Sequence, residues 1–380
     1  VYRHNLITID LDAIENNYRL MDSYLPDEVR VMAVVKANAY GHGMAEVAKT
    51  VVSAGCRDLA VAIPEEGIEL RKHIGSEIPI LVLGAVNQQS IAPCIKAGLT
   101  LTVFQPYMVA LVDSAAKKLQ KTAYIHIKLD TGMGRIGLRT KEEAYVLQAA
   151  LHQAPNVKAT GMYTHFADAD HLLDNGGLCD YTQVQLQRLQ ELRACFDPAI
   201  PLHASNSAMS LACSDANFSM IREGISLYGY PPVPTALPFR PALRWEAEIV
   251  HVKDVPEGTS IGYGCTYTTT RPSRIATIAA GYGDGYHRAA SNRGQVLISG
   301  RRANIAGHVC MDQIMVDVTD IPDVKPGNIA VLIGRQGNER ISADELGVWA
   351  GTISYEVLLS ITTRVPRVYL SARKHTIRQS

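Results

Sequence analysis

The chain has no excess charge of either sign: 37 Lys and Arg offset 37 Asp and Glu. That balance leaves no basic field for nucleic acid or an anionic lipid surface, so any anion site must come from local geometry. There is no Cys-x-x-Cys. The seven cysteines, at 56, 94, 179, 195, 213, 265 and 310, are odd in number and scattered. This argues against a disulfide framework or a zinc knuckle and for reduced thiols in a cytoplasmic protein. No apolar run approaches membrane-spanning length, no secretory signal is visible, and no block is low in complexity. The first residue is Val1 rather than Met, which leaves room for an upstream segment. What is present is an ordinary globular composition: 47% apolar residues suffice for a sizeable core, and 380 residues fit about two domains.

Strand-like and helix-like stretches alternate through the first part of the chain. Leu6–Asp10 reads as a strand, and Asp12 as the N-cap of a helix carrying Ile14, Tyr18, Met21 and Leu25. Further strands are expected at 31–35, 58–63, 78–83, 99–103, 123–129, 157–163, 201–204 and 219–221. Helices are expected at 45–54, 64–73, 88–97, 106–119, 141–152 and 181–194. About eight strand–helix units in this arrangement predict parallel strands with right-handed crossovers, closed into a (β/α)8 TIM-like barrel. Prolines 231, 232, 234, 238 and 241 mark a break. Beyond it, stretches at 244–252, 275–280, 295–298, 314–318 and 329–333 read as strands between Gly, Pro and Asp turns. The expected class is therefore α/β: a barrel over residues 1–236, then a mostly β domain over 237–380. Residues 1–10 are candidates to pair with the latter.

The run Val31–Val35 stops on Lys36 and is followed by turn-forming residues, Gly41 and Gly43. Desolvation lowers a lysine's pKa, and a neutral amine attacks carbonyls. Lys36 is thus either a Schiff-base lysine at a barrel mouth or a lysine that clears the sheet into water. Residues just after other strands would cluster at the same open face: Asp130 to Arg135, His165, Asn206, Ser207 and Arg222 to Ile225. Gly132–Gly137 matches G-x-G-x-x-G, but no acidic residue ends the next strand to hold a ribose. Arg135, set within it, suits a carboxylate or phenolate instead. His165, Asp168, Asp170 and His171 match metal-ligand spacing poorly, so no metal is expected. Asn206-Ser207 and Arg222–Ile225 are tight turns whose N–H groups and hydroxyl could cradle a phosphate. Each alone is equally a cap or a loop. Tyr263 and Tyr282 lie in glycine-flanked turns, where aromatics also pack on backbone.

In order, the segments AVVKANAYGHG, KLDTGMGRIG, MYTHFADAD, HASNSA, IREGISLYG, IGYGCTY, GYGDGY, HVCMDQ and TISYEVLLSITTRVPRVY resemble the alanine racemase family, over nearly the whole chain. The resemblance implies a pyridoxal 5′-phosphate enzyme that racemises alanine for peptidoglycan, working as a homodimer with shared sites on a small amino-acid substrate. Lys36 would carry the cofactor and serve one face of the substrate, and Tyr263 of the other subunit would serve the opposite face. Arg222 would meet the pyridine nitrogen. Tyr40, Ser207, Gly224, Ile225 and Tyr355 match phosphate-binding positions, with Asn206 beside them. Arg135 and the backbone of Met311 would hold the substrate carboxylate. Lys128 matches a lysine often carbamylated, and His165 and His203 would link Tyr263 to Arg222. The loop Asp168 to Asp180 is longer than the family's usual form. Glu223 and His287 stand where proline is common, and His308 where arginine is. The alternatives are a serine or broad-specificity racemase, a decarboxylase on a related barrel, a non-catalytic cofactor carrier and a hydride-transfer enzyme.

Overall fold

The computed structural model describes residues 3–372 and 378–379 and divides the chain into two units. One comprises Ala13–Ala39 and Met44–Arg240. The other comprises the residues up to Asp12, Tyr40–Gly43, and those from Pro241 onward. The first strand, β1 (Asn5–Asp10), belongs to the second unit, and the helix Leu11–Tyr24 follows it. Asp12 is not the cap of that helix, which begins one residue earlier. Its carboxylate instead accepts hydrogen bonds from the Ser371 hydroxyl at 2.9 Å and the Ala372 amide at 2.7 Å. A long-range partner thus claims a side chain that local spacing assigned to a cap.

The first unit is a closed barrel of eight parallel strands. These are β2 (Arg30–Val34), β3 (Asp58–Val61), β4 (Ile80–Val82), β5 (Thr100–Val103), β6 (Ala123–Lys128), β7 (Val157–Tyr163), β8 (Leu202–His203) and β9 (Met220–Glu223). β9 returns to pair with β2, Met32 lying against Arg222 and Ala33 against Glu223. Strands β3, β4 and β5 are buried at every position. A parallel sheet covered by helices on one side and packed inside on the other requires this, so its strands read as continuous apolar runs. The covering helices include Pro64–Arg71 and Pro106–Leu119, each with proline in its first turn, where the missing N–H costs nothing. Lys141–His152 opens with a Thr140/Glu143 capping box.

The second unit is organised on a ten-stranded sheet. Its longest strand, β10 (Leu243–Val255), pairs antiparallel with β1, aligning Ile7 with Trp245. β1 also pairs in parallel with Arg367–Leu370, a strand that no alternation announced. Trp245 is fully buried and its indole N–H donates to Asn5 at 2.7 Å; Asn5 in turn donates to the Ala279 carbonyl at 3.1 Å. Arg301–Ile305, Glu339–Ile341 and the helices Ala343–Ala350 and Ser354–Ser360 were likewise not legible locally. Among the described residues no helix is long and apolar enough to cross a membrane.

Candidate active site

Lys36 follows β2 at the C-terminal end of the barrel, the end at which barrel enzymes carry their chemistry. The chain leaves it through a left-handed turn: Ala37, Asn38, Ala39 and Tyr40 all have φ between 51° and 55°. Left-handed helical backbone costs about 1–2 kcal/mol per non-glycine residue, so it persists only where neighbours over-determine it. Here the Ala37 amide donates to Glu66 at 2.6 Å, the Ala39 amide to the Val35 carbonyl at 2.9 Å, and the Met44 amide to Asn38 at 2.9 Å. Gly41 completes the reversal; a Cβ there would sit 2.5 Å from the Leu358 carbonyl oxygen. Burial pushes the Lys36 amine below its ordinary value, and Arg135 and Arg222 push the same way while Glu66 opposes them.

Arg222, on β9, is 4% exposed. One terminal nitrogen, Nη1, donates to the His203 carbonyl at 3.0 Å and faces His203 Nδ1 at 3.0 Å. The other, Nη2, donates to the carbonyls of Thr164 and Ala204, both at 2.8 Å, and faces His165 Nδ1 at 3.3 Å. Nε has no partner among the described residues. Burial lowers the guanidinium to about 10, still charged near neutral pH. Behind it, His203 Nε2 meets His126 Nδ1 at 2.9 Å, and the Tyr163 ring stacks on His203 with centroids 4.9 Å apart. Burial, reinforced by the nearby cations, holds His165 and His203 well below the usual histidine range and His126 down at about 3. All three imidazoles are therefore neutral, and the positive charge stays on arginine.

Lys128 ends β6 and is 2% exposed; its amine donates to the Leu129 carbonyl at 2.5 Å and lies 5.1 Å from the Tyr163 ring centroid. Burial first, then Arg222, brings it down to about 7. His126 and Tyr163 were not singled out from sequence. The signal was there for His126: it alternates with Lys128 along β6, both on the side opposite the apolar Ala123, Ile125 and Ile127. Gly161 makes room for it, since a Cβ there would lie 2.6 Å from the His126 ring.

Asn206 caps the short helix Ser207–Ala212, its side chain accepting from the Met209 amide at 3.0 Å. Ser207 accepts from the Gly224 amide at 2.9 Å and donates to Glu223 at 3.1 Å. Ser207, Gly224 and Ile225 are thus drawn to one corner of the barrel mouth, with a buried carboxyl beside them. Arg135 is exposed on the Gly132–Gly137 turn, whose amides at Gly132 and Gly134 are held by Asp130 at 3.2 and 2.9 Å. The glycine pattern serves this carboxylate-held turn. In the long loop, Asp168, His171 and Cys179 bring ligand atoms within 4.8 Å of one another, but hydrogen bonds from His171 and Cys179 to Asp168, both 3.4 Å, account for that closeness. A cavity of about 330 Å³ lined by Arg30, Asp58, Thr100, Tyr124 and His126 opens at the opposite, N-terminal end of the strands.

The remaining candidates lie in the second unit. Tyr40 and Tyr355 form a tilted pair with centroids 6.0 Å apart. Tyr263 sits on a turn between Gly262 and Gly264, both at positive φ, and is 71% exposed; Met311 is 51% exposed.

Two family models match the chain: the alanine racemase N-terminal domain over residues 9–232 and the alanine racemase C-terminal domain over residues 242–369. An alanine racemase of Halothermothrix orenii is 44% identical over 368 residues, covering 95% of each chain. Alanine racemase 1 of Bacillus subtilis is 41% identical over 376 residues, covering 97% of this chain and 94% of its own. Among solved structures, the Bacillus anthracis alanine racemase with bound L-Ala-P superposes with a TM-score of 0.89 at 37% identity, covering 100% of this chain and 98% of that one. The Bartonella henselae alanine racemase with covalently bound pyridoxal phosphate gives 0.88 at 29% identity, covering 96% and 99%.

Proposed function

The chain belongs to the alanine racemase family and interconverts L- and D-alanine, and on that footing we propose that it does so with pyridoxal 5′-phosphate, using Lys36 and Tyr263 as its two bases. The observation that carries the cofactor reading is the state of Arg222. Its terminal nitrogens are committed to three carbonyls and two imidazoles, and Nε alone is left for an outside acceptor. That donor suits a pyridine nitrogen. Lys36 would hold the cofactor covalently, and Ser207 with the Gly224–Ile225 turn, Tyr40 and Tyr355 would hold its phosphate. Asn206 and His165 support the same arrangement. When bound, the cofactor supplies an electron sink that loosens the substrate's α-proton.

The protein's own residues then decide the outcome. Inverting a carbon requires a base on each face: one takes the α-proton and the other returns one from the opposite side. Lys36 suits the first role because burial and two arginines favour its neutral amine. Tyr263 is assigned the second. A tyrosine this exposed is poorly explained as packing and fits a surface that meets a second copy of the chain, as does exposed Met311. We therefore assign a homodimer with shared sites. Arg222 does not readily give up a proton, so a pyridine nitrogen held at its Nε would stay unprotonated, which would restrain side reactions. Arg135 and the Met311 backbone would hold the substrate carboxylate. The low value at Lys128 leaves a neutral amine able to take up carbon dioxide, and the resulting carbamate would position Arg135. His203 holds Arg222 in place.

The test is an absorption spectrum of the purified protein and of Lys36→Ala, with solvent deuterium uptake at Cα of alanine. A cofactor band lost in Lys36→Ala, and deuterium in both enantiomers, is expected; a colourless wild-type protein would overturn the cofactor assignment. Retained colour with a large loss of turnover in Tyr263→Phe is expected, and unchanged turnover would remove Tyr263. A higher kcat/KM for serine than for alanine would favour the broader racemase.

A further inference from the structure

Glu223 is 1% exposed, and among the described residues no cation pairs with it. It follows Arg222 on β9, and the two-residue alternation of a strand sends their side chains to opposite sides. The Arg222 guanidinium is committed elsewhere, to the carbonyls of Thr164, His203 and Ala204. What faces the Glu223 carboxyl is a set of hydroxyls. Ser210 donates to one oxygen at 2.7 Å and Ser207 to the other at 3.1 Å, both from the helix Ser207–Ala212. Ser226 faces it from the turn Ile225–Tyr228. No charged or titratable group on these elements acts on it. Burial raises its pKa, and the three hydroxyls pull the other way.

Ser207 is also a residue that the preceding reading gives to the phosphate, and its hydrogen-bonding capacity is limited. A hydroxyl has one proton and two lone pairs. The Gly224 amide fills one lone pair at 2.9 Å, and the Ser226 amide approaches the same oxygen only at 3.5 Å, the outer limit of a hydrogen bond. With Glu223 ionised, the single hydroxyl proton goes to the carboxylate, and a phosphate beside Ser207 receives no donor and meets a like charge. With Glu223 neutral, the carboxyl O–H, 3.1 Å away, donates to the second lone pair of Ser207 in place of the more distant Ser226 amide. The serine's own proton then turns toward the phosphate, while Ser210 keeps its bond to the other carboxyl oxygen.

We propose that Glu223 is a proton-linked positioning residue for the phosphate group: its neutral carboxyl frees Ser207 to donate to the phosphate, and its ionised form withdraws that donor. This rests on the cofactor reading above. Binding then requires the protonated form, so phosphate affinity falls as pH rises through the Glu223 ionisation, and binding below full protonation takes up a proton.

The probe is pyridoxamine 5′-phosphate, which has no aldehyde and forms no bond to Lys36. It is titrated into the full chain freed of cofactor, above the second phosphate ionisation at about pH 6. The wild-type dissociation constant is expected to weaken by up to about tenfold per pH unit, one proton being linked. Glu223→Gln, which keeps a donor but cannot ionise, is expected to lack that component. Unphosphorylated pyridoxamine is expected to show the same pH dependence with both proteins. Equal slopes for the phosphorylated probe with both proteins would overturn the proposal. Should Glu223→Gln fail to fold, calorimetry on the wild type in two buffers of different ionisation enthalpy decides. Proton uptake with the phosphorylated probe, absent with pyridoxamine, supports the proposal, and no such uptake overturns it. Failure of the wild type to bind the phosphorylated probe at any pH would overturn the cofactor reading, and this proposal with it.

Discussion

Lys128 shows how one residue's surroundings set its chemistry. A lysine left in water is charged well past neutral pH; this one, enclosed beside Arg222 and over Tyr163, falls to about 7. Because its value in the fold lies below the ordinary 10.5, folding releases its proton, and the fold gains stability as pH climbs from about 7 toward 10.5. The urea midpoint in bicarbonate-free buffer should therefore rise across that window. Lys128→Met removes the titrating group and should flatten the rise. Identical slopes in the two proteins would mean the gain comes from elsewhere. Arg222 makes the complementary point: its charge survives burial because carbonyl oxygens surround it, and the neutral imidazoles beside it add no competing charge.

At the scale of elements, the turn after Lys36 is the costly one. Ala37 is exposed and left-handed, so a β-branched residue there meets backbone strain without a packing change to confuse it. Ala37 already carries the left-handed cost, so Ala37→Gly should raise unfolding free energy by up to about 1 kcal/mol once glycine's unfolded-chain entropy is set against it, whereas Ala37→Val should lower it, β-branched residues tolerating positive φ worst. Denaturant melts of the three proteins check this; equal losses in both variants would point to a lost contact rather than backbone strain. The β6–β7 pairing carries a second constraint, since Gly161 is the gap into which His126 fits. Gly161→Ala should displace that ring, cost about 1–3 kcal/mol as overpacking does, and reduce turnover by loosening the His126–His203–Arg222 chain. Full activity in a stably folded Gly161→Ala would show that the third imidazole is only packing.

The whole molecule sets the final question, because Lys36 and Tyr263 lie in separate units of the chain. If the phenol comes from a second copy, two inactive variants should rescue each other. Refolding Lys36→Ala together with Tyr263→Phe in equal amounts makes half the dimers mixed, each with one intact site, so about a quarter of wild-type activity should return. A site built within one chain predicts no rescue. Tyr263 and Met311 should also become protected from oxidation or labelling at concentrations where the dimer forms.

Much of this was legible in one dimension. Barrel strands such as β2 and β4 are largely apolar runs because both their faces are covered, and a run of that kind needs no partner to be recognised. The residues that follow them fall at one end of the barrel because parallel strands all point the same way, which is why Lys36, Arg135, His165, Ser207 and Arg222 could be grouped before any coordinates; Lys128 and His203 entered only with the family resemblance. Other features could not be read that way. Asp12 was claimed by Ser371 and Ala372, more than 350 positions along the chain, and the strand Arg367–Leu370 took its place through pairing with β1. The neutral state of His126, the low value at Lys128 and the uncompensated carboxyl at Glu223 are consequences of enclosure. Residue type determines what a side chain can donate, accept or ionise; only packing removes the water that would otherwise satisfy it, and that removal depends on neighbours distant in the chain.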